Sequence, residues 1–211
     1  MNSERPALVP AKDGESELIE KKSRFLGHLF RVETEEEALA HLKEMRDRYW
    51  DANHNVYAYV LQGGTMRYSD DGEPGGTAGM PVLEILRHEE LTQALCVVTR
   101  YFGGTLLGTG GLVRAYGKTA KLAVEDAGIA KRCLWTSMKL PCPYPLFEQV
   151  RKCLLANGAL ISDTQYGSDV LLNFMIPAEN EAELAAALTD LTAGRLSALP
   201  TGSEFRDFPL K

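Results

Sequence analysis

Between Ala94 and Gly128 the chain passes from an apolar run, through a loop dense in glycine, into a helical repeat. Ala94 to Phe102 is rich in β-branched and aromatic residues and carries Arg100 as its one charge, which predicts a strand buried on both faces. Five glycines follow: Gly103, Gly104, Gly108, Gly110 and Gly111. Such density serves backbone that takes positive φ or that something approaches closely. Leu112, Ala115, Tyr116, Thr119, Ala120 and Ala123 then recur at spacings of three and four, the signature of one helical face, and Gly128 closes the helix. A bare loop therefore feeds a helix N-terminus, where unpaired N–H groups and the helix dipole favour an anion.

The charges around this loop agree with that preference. No Asp or Glu occurs from Leu91 to Val124, whereas Arg100, Arg114, Lys118 and Lys121 do, a basic island in a chain of net charge −6. The loop nevertheless lacks the lysine and hydroxyl that end a P-loop, and Gly108-x-Gly110-x-x-Val113 ends in valine where a dinucleotide loop needs glycine or alanine. Neither ATP nor NAD binding follows, and no cofactor is expected. The competing reading is purely structural: the glycines allow a strand and a helix to pack closely.

Neither half of the chain is a basic module, since the balance is −3 on each side of residue 135. A pI near 5.3 excludes coating nucleic acid by bulk charge, so no DNA partner is expected and any RNA contact must be local. No apolar run approaches the ~20 residues needed to cross a bilayer, which argues against a membrane partner. The first residues show no secretory pattern, so a cytoplasmic location is expected. Cys96, Cys133, Cys142 and Cys153 are unevenly spaced without a C-x-x-C pair, which fits reduced, packed thiols better than a zinc or redox site; no metal site is expected.

The pattern predicts an α+β protein of two domains. Residues 1–17 are polar and aperiodic, a tail or an edge addition. A first domain over 18–132 opens with a strand from Ser23 to Val32. Thr34 and Glu37 then form a capping box ahead of the stripe Ala38, Leu42, Met45 and Tyr49. Val56 to Leu61 and Thr65 to Tyr68 read as strands turned at Gly63-Gly64, and Pro81 opens a short helix. From 136 to 211 the order is strand (Thr136 to Pro141), helix (Leu146 to Ala156), hairpin about Gly167-Ser168, helix (Glu179 to Leu191) and strand (Leu196 to Phe205). This βαββαβ order is that of a ferredoxin-like domain.

The segment Ser69 to Gly79, SDDGEPGGTAG, places Asp70, Asp71 and Glu73 among glycines and a proline, so the acids cannot form a helix face. In one reading they gather as oxygen ligands for a hard cation, although EF-hand spacing is absent, or form half of an acid/base pair with His54. In the other, Asp70 caps a turn, Glu73 pairs with Arg100 or Arg114, and the loop is a rigid plug beside the glycine loop. His54, between Asn53 and Asn55, reads by itself as a hydrogen-bonded structural residue rather than a catalyst.

Taken together, these residues resemble the YigZ/IMPACT family in its bacterial two-domain branch. The carriers are Asp70-Asp71-Gly72-Glu73-Pro74 with Gly76-Thr77-Ala78-Gly79, then Val98-Thr99-Arg100-Tyr101-Phe102-Gly103-Gly104. Leu107-Gly108-x-Gly110-Gly111-Leu112-Val113-Arg114-Ala115-Tyr116 follows, with His54-Asn55 and Tyr57-Ala58-Tyr59 upstream. The match covers roughly residues 18 to 130. Its one departure in the acidic loop is Gly75, where many members have serine.

The resemblance implies a two-layer α/β first domain with the fold seen in a small-subunit ribosomal protein and in the fourth domain of elongation factor G. It implies a second domain similar to the ferredoxin-like fifth domain of that factor. Eukaryotic members regulate translation through the kinase that responds to amino-acid starvation; the resemblance here is to the bacterial two-domain branch, without the extra N-terminal domain of those members, so that partner is not expected to carry over. No agreed enzymatic activity comes with the resemblance, and fold analogy is associational.

The resulting expectation is a translation-associated or stress-regulatory binding protein that contacts RNA or the ribosome through its first domain. Arg100 and Arg114 would meet phosphate, Tyr101 and Phe102 would offer aromatic surface, and the glycine loop would admit backbone approach. The second domain would orient the first or hold a protein partner. The rival is an enzyme or a binder of a small phosphorylated ligand in a cleft between the acidic and glycine loops, with His54, Asp70, Asp71 and Glu73 facing Arg100 and Arg114. A regulator that binds only protein is a third expectation.

Overall fold

A computed structural model describes residues 6–210 and divides them into two compact units, one of residues 7–131 with 207–210 and the other of residues 132–206. Both are mixed α and β, in agreement with the α+β expectation. Among the described residues no helix is long and apolar enough to cross a membrane.

The first unit is built on a sheet of β2 (Gly14–Glu20), β3 (Ser23–Arg31), β6 (Ala94–Tyr101), β4 (His54–Val60) and β5 (Met66–Ser69), in that spatial order. The β2–β3, β3–β6, β6–β4 and β4–β5 pairings are all antiparallel. The central strand β6 is the apolar run of the sequence, and its side chains alternate between two cores as a strand's must. Ala94, Cys96 and Val98 face α2 (Gly79–His88) and α3 (Thr109–Ala127), together with Val56, Ala58, Leu112, Tyr116 and Ala120. Leu95 and Val97 face the other way, toward Ala38, Leu42 and Met45 of α1 (Glu35–Arg48). The sheet and the α2/α3 layer are the two layers expected, and α1 adds a cover on the second face. Helix α1 starts as its sequence predicts, with the Glu37 N–H donating to Thr34 Oγ1 at 3.2 Å.

Three local differences from the sequence reading have clear causes. Residues 7–17 are built into β1 (Ala7–Pro10) and the edge strand β2; the GESELIE pattern looks irregular because an edge strand exposes most of its side chains. Helix α2 begins at Gly79, two residues before Pro81, because the Asp70 carboxylate accepts from the Ala78 and Gly79 N–H groups and holds the first turn. Strand β7 (Ile129–Cys142) begins directly after the Gly128 cap, ahead of the Thr136 to Pro141 strand expected, and Ala130, Cys133 and Trp135 along it are buried.

The second unit continues along β7 into α4 (Phe147–Ala156), β8 (Leu160–Tyr166), β9 (Val170–Pro177), α5 (Glu181–Thr192) and β10 (Leu199–Pro209), the expected βαββαβ order. Strand β9 lies between β7 and β8, and β10 pairs with β7. Val150 and Leu154 of α4 and Leu184 and Leu188 of α5 pack on Leu140, Leu172 and Phe174 of the sheet. The last residues return to the first unit, where the Leu210 N–H donates to the Ile129 carbonyl at 2.8 Å.

Candidate functional site

The three acids of the SDDGEPGG loop point to three different jobs. Asp70 accepts from the Gly76 N–H at 2.8 Å through one oxygen, and from the Ala78 and Gly79 N–H groups at 3.0 and 2.8 Å through the other. It ties the loop into a knot and caps α2. Asp71 accepts from the Asn55 N–H at 2.6 Å and meets Arg46 at 3.4 Å, which anchors the loop to β4. Thr77 closes a turn on the Pro74 carbonyl at 2.7 Å. Replacing Asp70 with alanine leaves these donors without their acceptor and is expected to cost about 2 kcal/mol, read as a lower urea midpoint at unchanged m-value.

Glu73 alone turns inward, and it organises a buried polar cluster. Its Oε1 accepts from Arg100 Nη1 at 2.6 Å and from the Tyr116 hydroxyl at 2.8 Å, while Arg100 Nη2 donates to Ser23 Oγ at 3.3 Å. Glu73 and Arg100 are only 8 % and 5 % exposed. The guanidinium also lies over the rings of Phe25 and Phe102, 5.4 and 5.5 Å from their centroids. Burial and the Glu73 carboxylate push the Tyr116 phenol well above its ordinary range, so it remains a donor. Arg100 was expected at a phosphate. Instead its charge is met inside the fold, because a buried guanidinium requires a carboxylate and Glu73 supplies it.

His54 stands at the edge of this cluster. Its Nδ1 lies 2.8 Å from the Asp71 carbonyl, which can only accept, so Nδ1 carries the hydrogen and the neutral ring offers a lone pair at Nε2. That nitrogen is 3.7 Å from Glu73 Oε1. Asn55 next to it is buried, its side-chain oxygen accepting from Thr99 Oγ1 at 2.7 Å.

The glycines also separate into roles. A Cβ on Gly103 would stand 2.0 Å from the Lys22 carbonyl carbon, so this glycine exists for close packing, and its N–H donates to Ser23 Oγ at 3.2 Å. Gly108 caps α3 at φ 73°, a conformation that favours glycine, without any side-chain cap. Gly104 lies in the open loop, and Gly110 and Gly111 occupy the first turn of α3, whose initial N–H groups are left without an acceptor. Tyr101 donates to Asp51 at 2.8 Å, and the Phe102 N–H donates to the Asn53 side chain at 2.7 Å, leaving the Phe102 ring 45 % exposed.

Two concavities flank Leu107. A cleft of about 470 Å³ joins the acidic loop, through Glu73 and Pro74, to the glycine loop and α3, through Leu106, Gly108 and Thr109, with His54 and Arg100 on its wall. A groove of about 250 Å³ lies between Lys21, Gly111, Arg114 and Lys118, with Glu20 as its one acid. Lys21 was not anticipated. It and Lys22 form the two-residue loop of the β2–β3 hairpin, both at positive φ (46° and 68°), a loop in which Asn-Gly is the usual solution. Treating residues 1–17 as a tail hid the hairpin and with it this pair.

Of the expected site residues, the cleft brings together His54, Glu73, Arg100, Phe102 and Gly108, and the groove takes Gly111 and Arg114. Asp70, Asp71, Asn55 and Thr77 support the loop, and Tyr116 stands behind Glu73. Among the described residues no three His, Cys, Asp or Glu side chains stand together as a metal site. The four cysteines are free thiols, and burial pushes Cys96 up to about 12.

The same organisation appears in known proteins. The Impact N-terminal domain matches residues 21–124, and a domain of unknown function, DUF1949, matches residues 140–195. The chain is 36% identical over 184 residues to the IMPACT family member YvyE of Bacillus subtilis, covering 86% of this chain and 85% of that one. It is 36% identical over 183 residues to the family member YigZ of Escherichia coli, covering 85% and 90%. A solved structure described as that of a hypothetical protein superposes with a TM-score of 0.60 at 34% identity, covering 93% of this chain and 98% of the other. The resemblance carried by the acidic loop, the β6 strand and the glycine-rich start of α3 thus extends over both units, and the chain belongs to the IMPACT family.

Proposed function

We propose that this protein acts in translation or its stress regulation by contacting RNA, including ribosomal RNA, through the groove between Lys21, Arg114 and Lys118. The observation that carries the reading is the hairpin loop. Two lysines sit at positive φ where glycine or asparagine would be less strained, and Lys21 stands beside Arg114, Lys118 and Gly111 of the first turn of α3. Strain retained at a cationic surface points to a need for the charge. Phosphate contacts supply affinity in such surfaces, and exposed Phe102 adds a ring on which a base can stack. Arg100 has no part in the contact, being paired with Glu73.

Co-sedimentation with ribosomes over a salt series tests the reading. The variant Lys21→Asn/Lys22→Gly keeps or improves the turn while removing two charges. Binding should fall steeply with salt, and the slope of log K against log salt should drop by about one unit for each phosphate contact removed, in this variant and in Arg114→Ala. Absence of binding at low salt, or a slope that neither variant changes, would refute the proposed contact.

A further inference from the structure

The cleft on the other side of Leu107 has a chemistry unlike that of the groove. No lysine lines it, and its two charged side chains, Glu73 and Arg100, neutralise each other. Its polar offerings are of three kinds. The N–H of Thr109 opens α3 on its wall and has no acceptor, and with the helix dipole it presents about half a positive charge. Arg100, 5 % exposed on the same wall, spends Nη1 on Glu73 and Nη2 on Ser23 and leaves its buried Nε without a partner. His54 offers Nε2 as an acceptor, its other nitrogen being committed to the Asp71 carbonyl. Asn53, whose side-chain oxygen is taken by the Phe102 N–H, also lines the cleft, and the apolar walls come from Pro74, Phe102, Leu106 and Leu112.

We propose that this cleft binds a small, largely apolar monocarboxylic acid with a hydroxyl or amino group beside the carboxylate, at a site that shares Phe102 and the start of α3 with the RNA-contacting surface but uses none of its lysines. A partial positive charge in a side-chain-neutral cleft suits one negative charge better than the two of a phosphate monoester. The carboxylate takes the unpaired N–H donors at the start of α3, with the Arg100 guanidinium on the same wall. The body of the ligand lies against Phe102, Leu106 and Leu112. Its neighbouring donor reaches His54 Nε2, which makes His54 a specificity-determining residue. The volume is within the ordinary range for small-molecule sites.

The test is calorimetric titration of the full chain with four probes: 3-phenyllactate, phenylacetate, phenyl phosphate and inorganic phosphate. Phenyllactate should bind tightest, about fivefold better than phenylacetate for one hydrogen bond, with both carboxylates ahead of either phosphate. In His54→Asn the amide keeps the bond to Asp71 and deletes Nε2, so the preference between the two carboxylates should disappear. Leu106 is 82 % exposed, so Leu106→Glu folds normally while placing a charge at the mouth, and it should weaken both carboxylates by about tenfold. The Lys21→Asn/Lys22→Gly variant should bind them unchanged. Failure of both carboxylates to bind, tighter binding of either phosphate, or indifference to Leu106→Glu would each overturn the proposal.

Discussion

Replacing Glu73 with alanine is expected to destabilise the first unit by about 3–5 kcal/mol, because it leaves the Arg100 guanidinium buried without a counter-ion. The Tyr116 hydroxyl loses its acceptor in the same step. For a unit of this size the loss corresponds to a fall in Tm on the order of 10 °C. Arg100→Met alone should be costly for the mirror-image reason, since Glu73 is then the uncompensated charge. The double variant Glu73→Leu/Arg100→Met should recover most of the loss, since apolar residues of similar volume commonly replace a buried ion pair without penalty. Tyr116→Phe should cost only about 1 kcal/mol, the worth of one hydrogen bond. Urea unfolding of the four variants measures these losses. A Glu73→Ala loss below about 1 kcal/mol would mean that Arg100 reaches solvent and that the cluster is not what anchors the acidic loop to β6.

A second large effect is expected at Gly103. An alanine Cβ there would lie 2.0 and 2.2 Å from the Lys22 carbonyl carbon and oxygen and 2.4 Å from the Ser23 nitrogen. All three are backbone atoms of the β2–β3 hairpin and its exit, so no side-chain rotation relieves the overlap. The cost should therefore exceed the ~1–3 kcal/mol typical of an overpacked core methyl. Gly110 supplies the control seven residues on. A Cβ there meets nothing nearer than Arg114 Nη1 at 3.6 Å, so Gly110→Ala should leave stability unchanged or raise it by up to ~1 kcal/mol through helix propensity. Unfolding midpoints of the two variants decide the matter. If Gly103→Ala matched the parent protein, the contact between the glycine loop and the hairpin would not be a fixed part of the fold.

These two positions also show how glycines adjacent in sequence differ in purpose. Gly103 belongs to the packing of β6 on the hairpin, whereas Gly110 lies on the first turn of α3 with no steric or conformational need for glycine. The structural reading of the loop is thus met at Gly103. The same division runs through the acidic loop. Asp70 capping a turn and Glu73 paired with Arg100 were legible as a turn motif and a charge complement. The gathering of three acids into one site does not occur, because consecutive residues of an irregular loop diverge in direction.

What the sequence determined by itself is what local chemistry determines. The apolar run of β6, the three-and-four spacing of α3, the Thr34 cap, the closing Gly128 and the βαββαβ order of the second unit are repeats or caps a few residues long, and no distant partner is needed to specify them. The edge strand β2, most of whose side chains face solvent, and the early start of β7 escaped because neither shows a clean period. Only the tertiary structure decided that Arg100 is a buried structural cation rather than a surface one. Its charge is answered 27 positions earlier by Glu73 and 77 positions earlier by Ser23, and burial of a charge depends on partners that chain folding alone brings together. It likewise set Lys21 beside Arg114, and His54 in one cleft with the first turn of α3, because a cleft is a property of surfaces that meet and not of the residues that line it.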